Sequence, residues 1–278
     1  MGMSSRASIR GISALALVLA CVAPAFGSAD PAVKRLPPDL RPLPPNEISG
    51  PTTEILIPLG VDAPLIVDGC FVDERVRKGA QRCLRFDGIV GNYGKGPLEL
   101  AYSIDGSTAI ATQRIFNSDG TFQDRFATTS EFHPTHAHFH VRDFYVARLW
   151  ESTAQGGQLG EEPVATGDKN GFCPEDSRPL QGDDTAGGSY SCFTEGERAG
   201  SSALQIVGIS AGWQDIYGYS LPDQYVEITD VPDGYYALEL ELDPNDVFDE
   251  ARERNNTVCV VLELNGTTAE LLDPSITC

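Results

Sequence analysis

The sequence predicts an all-β protein, a single sandwich-like domain of short antiparallel strands with long loops and few short helices. Apolar residues alternate with polar ones in short stretches bounded by glycine, proline, asparagine and aspartate. The chain carries no internal repeat and no long helical period. Beyond its N-terminal region about 230 residues remain, enough for one sandwich-sized core.

Arg6 and Arg10 precede an apolar run from Ile12 to Phe26, and Ala25-Phe26-Gly27 has the small-residue character of a cleavage site. Residues 1–27 are therefore expected to be a signal peptide, which makes the protein secreted, periplasmic or held at the cell surface. Val18-Leu19-Ala20-Cys21 also has the form of a bacterial lipoprotein box, with Cys21 as the lipidated residue. No later stretch is apolar enough to span a bilayer. Residues 28–51 follow as a proline-rich segment, with Pro37-Pro38, Pro42 and Pro44-Pro45 favouring extended chain, and their default role is a linker. Residues 52–278 form the folded domain.

Cys21 aside, six cysteines remain, an even set in an exported chain. Cys70–Cys83 and Cys259–Cys278 are the local pairings, leaving Cys173–Cys192. All six are expected to be structural. The formal charge is -20. Removing residues 1–27 takes away two arginines and no acids, which gives -22. Such a surface repels nucleic acid and anionic lipid and attracts cations, amines and basic peptides among them. The same charge also serves solubility without any bearing on a substrate.

Strand signals run along the domain. Glu54-Ile55-Leu56-Ile57 comes first, and Val72–Gln81 is the one expected short helix, inside the Cys70–Cys83 loop. Leu84, Phe86 and Val90 share a parity interrupted at Gly88, and a turn-rich Gly91–Pro97 leads to the alternation of Leu98, Leu100 and Tyr102. Val141 to Trp150, aromatic and β-branched, is expected to continue the strand before it. A glycine-rich loop region covers Gly156–Gly200. After the turn Val231–Gly234, Tyr236, Leu238, Leu240 and Leu242 alternate with polar residues, and Thr257–Leu264 is the last strand.

All four histidines fall in one run, His133-Pro134-Thr135-His136-Ala137-His138-Phe139-His140. In a strand His136, His138 and His140 share one face, while Ala137 and Phe139 share the other. The outer two would lie roughly 13 Å apart at the backbone, so a twist or bulge must lean them inward onto one ion. Three imidazoles without thiolate or local carboxylate suit Cu(II) or zinc, and raw affinity favours copper. Three protein ligands leave room for water, dioxygen or substrate, the form of a reactive site.

This run, with Phe132 before it, resembles the copper-binding segment of the lysyl oxidase family, whose Trp-His-x-x-His-x-His-x-His pattern it follows except at Phe132. The resemblance implies copper on His136, His138 and His140, with His133 supporting the ligands from outside. Gly167-Asp168-Lys169-Asn170-Gly171-Phe172-Cys173 is similar to the segment holding the family's cofactor lysine, and Gly208–Gly218 to the segment holding its precursor tyrosine. The implied lysine tyrosylquinone would be built from Lys169 and Tyr217, with Asp215 as general base. The implied reaction turns a primary amine, a lysine-rich protein or a polyamine among the candidates, and dioxygen into an aldehyde, ammonia and hydrogen peroxide. Residues 52–278 would then be the catalytic domain.

The family also joins a Pro-Asp-Leu to a Glu-x-Asp-x-x-Asn-Asn segment through calcium, which Pro38-Asp39-Leu40 and Glu250–Asn256 resemble. The implied donors to Ca(II) are Asp39, Leu40, Glu250, Asn255 and Asn256; Arg252 replaces an aspartate, and Glu253 is its nearest substitute. Other departures are Thr135, Trp213 and Asp223, each where animal members have cysteine. With no scavenger-type module in the sequence, a bacterial exported enzyme is the expected setting. Two rival classes share the histidines: a secreted copper- or zinc-binding module without a quinone, and a metal-dependent oxygenase or hydrolase.

Overall fold

The computed structural model describes residues 34–43, 66–67, 70, 82–105, 108–133, 138–167, 171–181, 188–192 and 205–272, with only the backbone at 66–67. In chain order the strands begin with β1 (Arg35–Leu36), β2 (Leu40–Pro42), β3 (Ile66–Val67), β4 (Cys83–Arg85) and β5 (Gly88–Asn92). Next come β6 (Leu98–Asp105), β7 (Thr108–Asn117), β8 (Phe122–His133), β9 (His138–Val141) and β10 (Tyr145–Ser152). Short strands β11 (Gln158–Leu159), β12 (Ala165–Thr166) and β13 (Arg178–Pro179) cross the loop region. The chain then forms β14 (Gln205–Ile209), β15 (Trp213–Tyr217) and β16 (Tyr225–Glu227). It finishes with β17 (Gly234–Leu242), β18 (Thr257–Asn265) and β19 (Thr268–Leu271). The described residues contain no helix.

One sheet runs β14-β6-β7-β8-β9, with β1 also paired to β7, and a second runs β11-β10-β17-β18-β19, with β12 on β10. Two smaller sheets, β13-β15-β5-β2 and β16-β4-β3, complete the fold. A single buried cluster draws on both large sheets: Leu98, Leu100, Tyr102 and Phe139 from the first, Leu149, Leu238, Leu240 and Leu262 from the second. The alternating residues predicted at Leu98–Tyr102 and Tyr236–Leu242 are the ones that face this core.

Two expectations change. Val141–Trp150 is not one strand: β9 ends at Val141, Asp143 takes a left-handed φ of 59°, and β10 begins at Tyr145 in the other large sheet. Apolar residues on both sides of the turn hide it from a periodicity argument. The described part of the proline-rich segment is docked rather than a linker. β1 pairs with Asn117 and Phe116, and β2 with Asn92, Gly91 and Val90. The fully buried Asn92 side chain accepts from the Asp39 and Gly94 amides and donates to the Gly96 and Ile209 carbonyls. Gly94 and Gly96 admit this crossing, because an added Cβ would stand 2.4 Å from Asp39 N or 1.8 Å from Leu36 O.

The bridges Cys70–Cys83 and Cys173–Cys192 form as expected. The predicted strand at Glu54–Ile57 and helix at Val72–Gln81, the signal segment and the Cys278 partner of the third bridge lie outside the described residues.

Candidate metal and tyrosine site

β8 and β9 pair so that His133 faces His138, Phe132 faces Phe139 and Glu131 faces His140. Phe139 is wholly buried and meets Phe132 and Tyr102, while His138 and His140 turn the other way, as the alternation predicts. Both histidines are buried, and their Nε2 atoms stand 3.0 Å apart. His133 lies flat against His140, ring centroids 4.8 Å apart and planes 16° from parallel. Its Nε2 pairs with Asp223 Oδ2 at 3.1 Å. His136 lies outside the described residues, so the site is described through two of its three expected ligands.

A second segment presses on this strand. A Cβ at Gly171 would meet Val141 O at 2.8 Å and His140 Cβ at 3.1 Å, so glycine alone fits without a shift there. Phe172 then exchanges backbone hydrogen bonds with Val141: Val141 N donates to Phe172 O at 2.7 Å and Phe172 N to Val141 O at 3.3 Å. The Phe172 ring stands edge-on to Tyr217, centroids 4.4 Å apart. Gly88, the cross-strand partner of Tyr217, leaves the space for it, since a Cβ there would meet Phe172 Cζ at 3.0 Å. The Tyr217 hydroxyl accepts from Cys173 N at 3.0 Å and donates to Cys173 O at 2.9 Å. Burial holds this hydroxyl's pKa well above its usual value, and the charge of Asp215 pushes the same way.

Asp215 lies two residues before Tyr217 on β15, fully buried, and accepts a hydrogen bond from Ser177 Oγ at 3.2 Å. Lys169 lies outside the described residues; its flanking glycines, Gly167 and Gly171, are described. Gly167 packs beside Ala147 and Val226, and its amide donates to Ala147 O. Residues 171–173 therefore connect the histidine strand to Tyr217 through described contacts. The Asp223–His133 pair was not foreseen, because nothing local links two residues so far apart in the chain.

The remaining predicted donors also meet. Glu250 Oε2 accepts from Leu40 N at 2.5 Å, and Glu250 Oε1 from Asn256 Nδ2 at 3.1 Å. Asn255 Nδ2 donates to Asp39 Oδ1 at 2.8 Å and to Leu40 O at 3.3 Å. Donor atoms of Asp243, Glu250 and Glu253 lie within 4.8 Å of one another. Burial raises the Glu250 carboxyl to about 8 and Asp243 to about 6. Among the described residues, the buried Oδ1 atoms of Asn255 and Asn256 find no hydrogen-bond partner. Arg252, highly exposed, places Nε 3.9 Å from Asp39 Oδ2. The resemblance at Glu250–Asn256 did not point to Asp243, which lies before that segment.

The model of the lysyl oxidase family matches residues 111–273, more than half of the chain. Protein-lysine 6-oxidase of Homo sapiens is 30% identical over 137 residues, covering 49% of this chain and 28% of that protein. Lysyl oxidase homolog 2 of Bos taurus is 31% identical over 125 residues, covering 45% of this chain and 14% of its own length. Lysyl oxidase homolog 3B of Danio rerio is 29% identical over 127 residues, covering 46% of this chain and 14% of its own length. The chain thus spans less than a third of each of these three relatives.

Proposed function

The chain belongs to the lysyl oxidase family, and on that premise we propose that it is an exported copper amine oxidase acting on primary amines. The observation that carries the proposal is the connection through Gly171, Phe172 and Cys173, which joins the strand of His138 and His140 to the ring and hydroxyl of Tyr217. Lys169 precedes Gly171 by two residues in the sequence, and its role in the quinone is part of the proposal.

The donor set fits copper. Two buried imidazole nitrogens 3.0 Å apart can both bind one ion at about 2.0–2.1 Å. Imidazole donors without a thiolate suit copper, and raw affinity favours it over zinc. His138 and His140, with His136, would hold the ion. When bound, copper and dioxygen supply the oxidation of a tyrosine ring to a quinone, and a quinone joined to lysine supplies an electrophile for amines.

The chain's own residues supply the rest. Cys173 and Phe172 fix the Tyr217 ring in one orientation, and burial keeps its hydroxyl protonated until it is oxidised. Lys169 would act as the neutral amine that adds to the oxidised ring. The Asp215 carboxylate, held by Ser177, would take the proton from the amine-bearing carbon of the substrate. The acidic surface favours cationic amines, a lysine-rich protein or polyamine among them. Export would run through residues 1–27, with Cys21 as an anchor if it is lipidated. Among the described residues no helix is long and apolar enough to cross a membrane.

A Ca(II) ion bound by Asp39, Leu40, Glu250, Asn255 and Asn256 would lock β2 to the Glu250–Asn256 loop. The two unpartnered asparagine oxygens and the carboxylates suit that ion, with Asp243 and Glu253 compensating for Arg252. Copper-loaded protein is expected to absorb visibly, to react with phenylhydrazine and to release peroxide from simple amines. Stoichiometric copper without any of the three would instead support the metal-binding module.

A further inference from the structure

Asp223 lies in the loop that follows Tyr217, and that loop is held at every turn. The Tyr219 amide donates to Asp87 Oδ1 at 2.6 Å. The buried Arg85 donates through Nε to Tyr219 O at 2.8 Å and through an Nη to Leu221 O at 2.7 Å. Gln224, wholly buried, donates from Nε2 to Tyr217 O at 3.1 Å. Asp223 itself takes a left-handed φ of 67°, which aspartate tolerates better than most residues. Its carboxylate is thus presented from a fixed backbone toward His133, with Oδ2 3.1 Å from Nε2. His133 in turn lies flat on His140, whose Nε2 is 3.0 Å from that of His138.

We propose that Asp223 is a positioning residue of the metal centre: it orients His133, and His133 braces the His140 ring in its ligating pose. Asp223 also sets a fixed negative charge beside the place where the histidines would hold a dication, which favours the bound ion. Because Gln224 holds the Tyr217 carbonyl, the same two residues anchor the tyrosine strand and the histidine hairpin to each other. The contact acts through His133, so Asp223 touches neither metal nor substrate. This inference rests on the copper reading above.

Two variants separate the effects. Asp223→Asn keeps the left-handed backbone and an acceptor oxygen but loses the charge; Asp223→Gly relaxes the backbone and removes both. Cu(II) affinity of the full chain, measured by competition with a chelator, is expected to fall about 10-fold in the first and toward 100-fold in the second. The copper electron paramagnetic resonance spectrum should change in Asp223→Gly, and melting of the metal-free protein shows how much of either effect is mere stability. Wild-type protein that binds copper while both folded variants keep its affinity and spectrum would overturn the positioning role alone. Wild-type protein that binds no copper would overturn the copper reading together with it.

Discussion

The phenolic oxygen of Tyr217 meets the backbone of Cys173 twice, accepting from its amide at 3.0 Å and donating to its carbonyl at 2.9 Å. Cys173 is anchored in its turn by the bridge to Cys192, and its neighbour Phe172 is hydrogen-bonded to Val141, next to His140. A ring held this way can be modified in place without searching for its partners. Preorganisation of that kind is what a self-processing site requires.

Tyr217→Phe should remove quinone absorbance and turnover while copper stoichiometry stays unchanged. Losing the hydroxyl leaves the Cys173 amide and carbonyl short of a partner in a buried place, at a cost of about 1–3 kcal/mol. Phenylhydrazine labelling, metal analysis and thermal melting check the three parts. A fully active phenylalanine variant would mean that another residue is the precursor.

Asp215→Asn keeps the shape of the side chain and an oxygen for Ser177 Oγ. It removes the base, so turnover should fall about 10²- to 10⁴-fold with copper binding retained. The Tyr217 hydroxyl should also titrate at lower pH in the variant, because the charge of Asp215 helps hold its pKa up. Steady-state kinetics and an ultraviolet titration of metal-free protein measure both; unchanged turnover would remove Asp215 from the chemistry.

Gly171→Ala places a methyl group against Val141 O and His140 Cβ, at 2.8 and 3.1 Å. Strain of this kind costs about 1–3 kcal/mol, and the histidine strand must shift to accommodate it. Copper affinity and melting temperature should both drop. Loss of neither would show that residue 171 does not press on the metal strand.

Glu250 predicts a pH dependence of definite sign. Burial raises its folded pKa to about 8 from an ordinary 4.5, so the folded chain keeps a proton that the unfolded chain gives up. That stabilisation is complete below about pH 4.5 and is lost as pH rises through about 8. Asp243, raised to about 6, adds to the loss at its lower end. Metal-free protein should therefore melt progressively lower between pH 5 and 8. Calcium, which favours the ionised carboxylates, should restore the loss at pH 8 and do little at pH 5. Calorimetry with calcium and with chelator tests this; a melting temperature insensitive to both would leave Glu250 and Asp243 as buried structural acids that hold no calcium.

Residues whose partners are close in sequence were legible. The alternation of Leu98, Leu100 and Tyr102, that of Tyr236 to Leu242, and the opposed faces of Phe139 and His140 all follow from a two-residue period. Long-range features were not. The break at Asp143 depends on one left-handed residue between two apolar strands that belong to different sheets. The docking of Asp39 and Leu40 against Glu250 was legible only through the family resemblance, and their anchoring by Asn92 not at all. The Asp223–His133 contact is of the same kind, and no local pattern announces it.

The central claim is that Lys169 and Tyr217 become one covalent unit in the presence of copper and dioxygen. Mass spectrometry of proteolysed, copper-loaded, aerated protein tests it most directly. The account predicts a peptide in which the Lys169 segment is joined to the Tyr217 segment, absent from protein prepared without copper. Recovery of both segments as separate, unmodified peptides from the copper-loaded protein would contradict it.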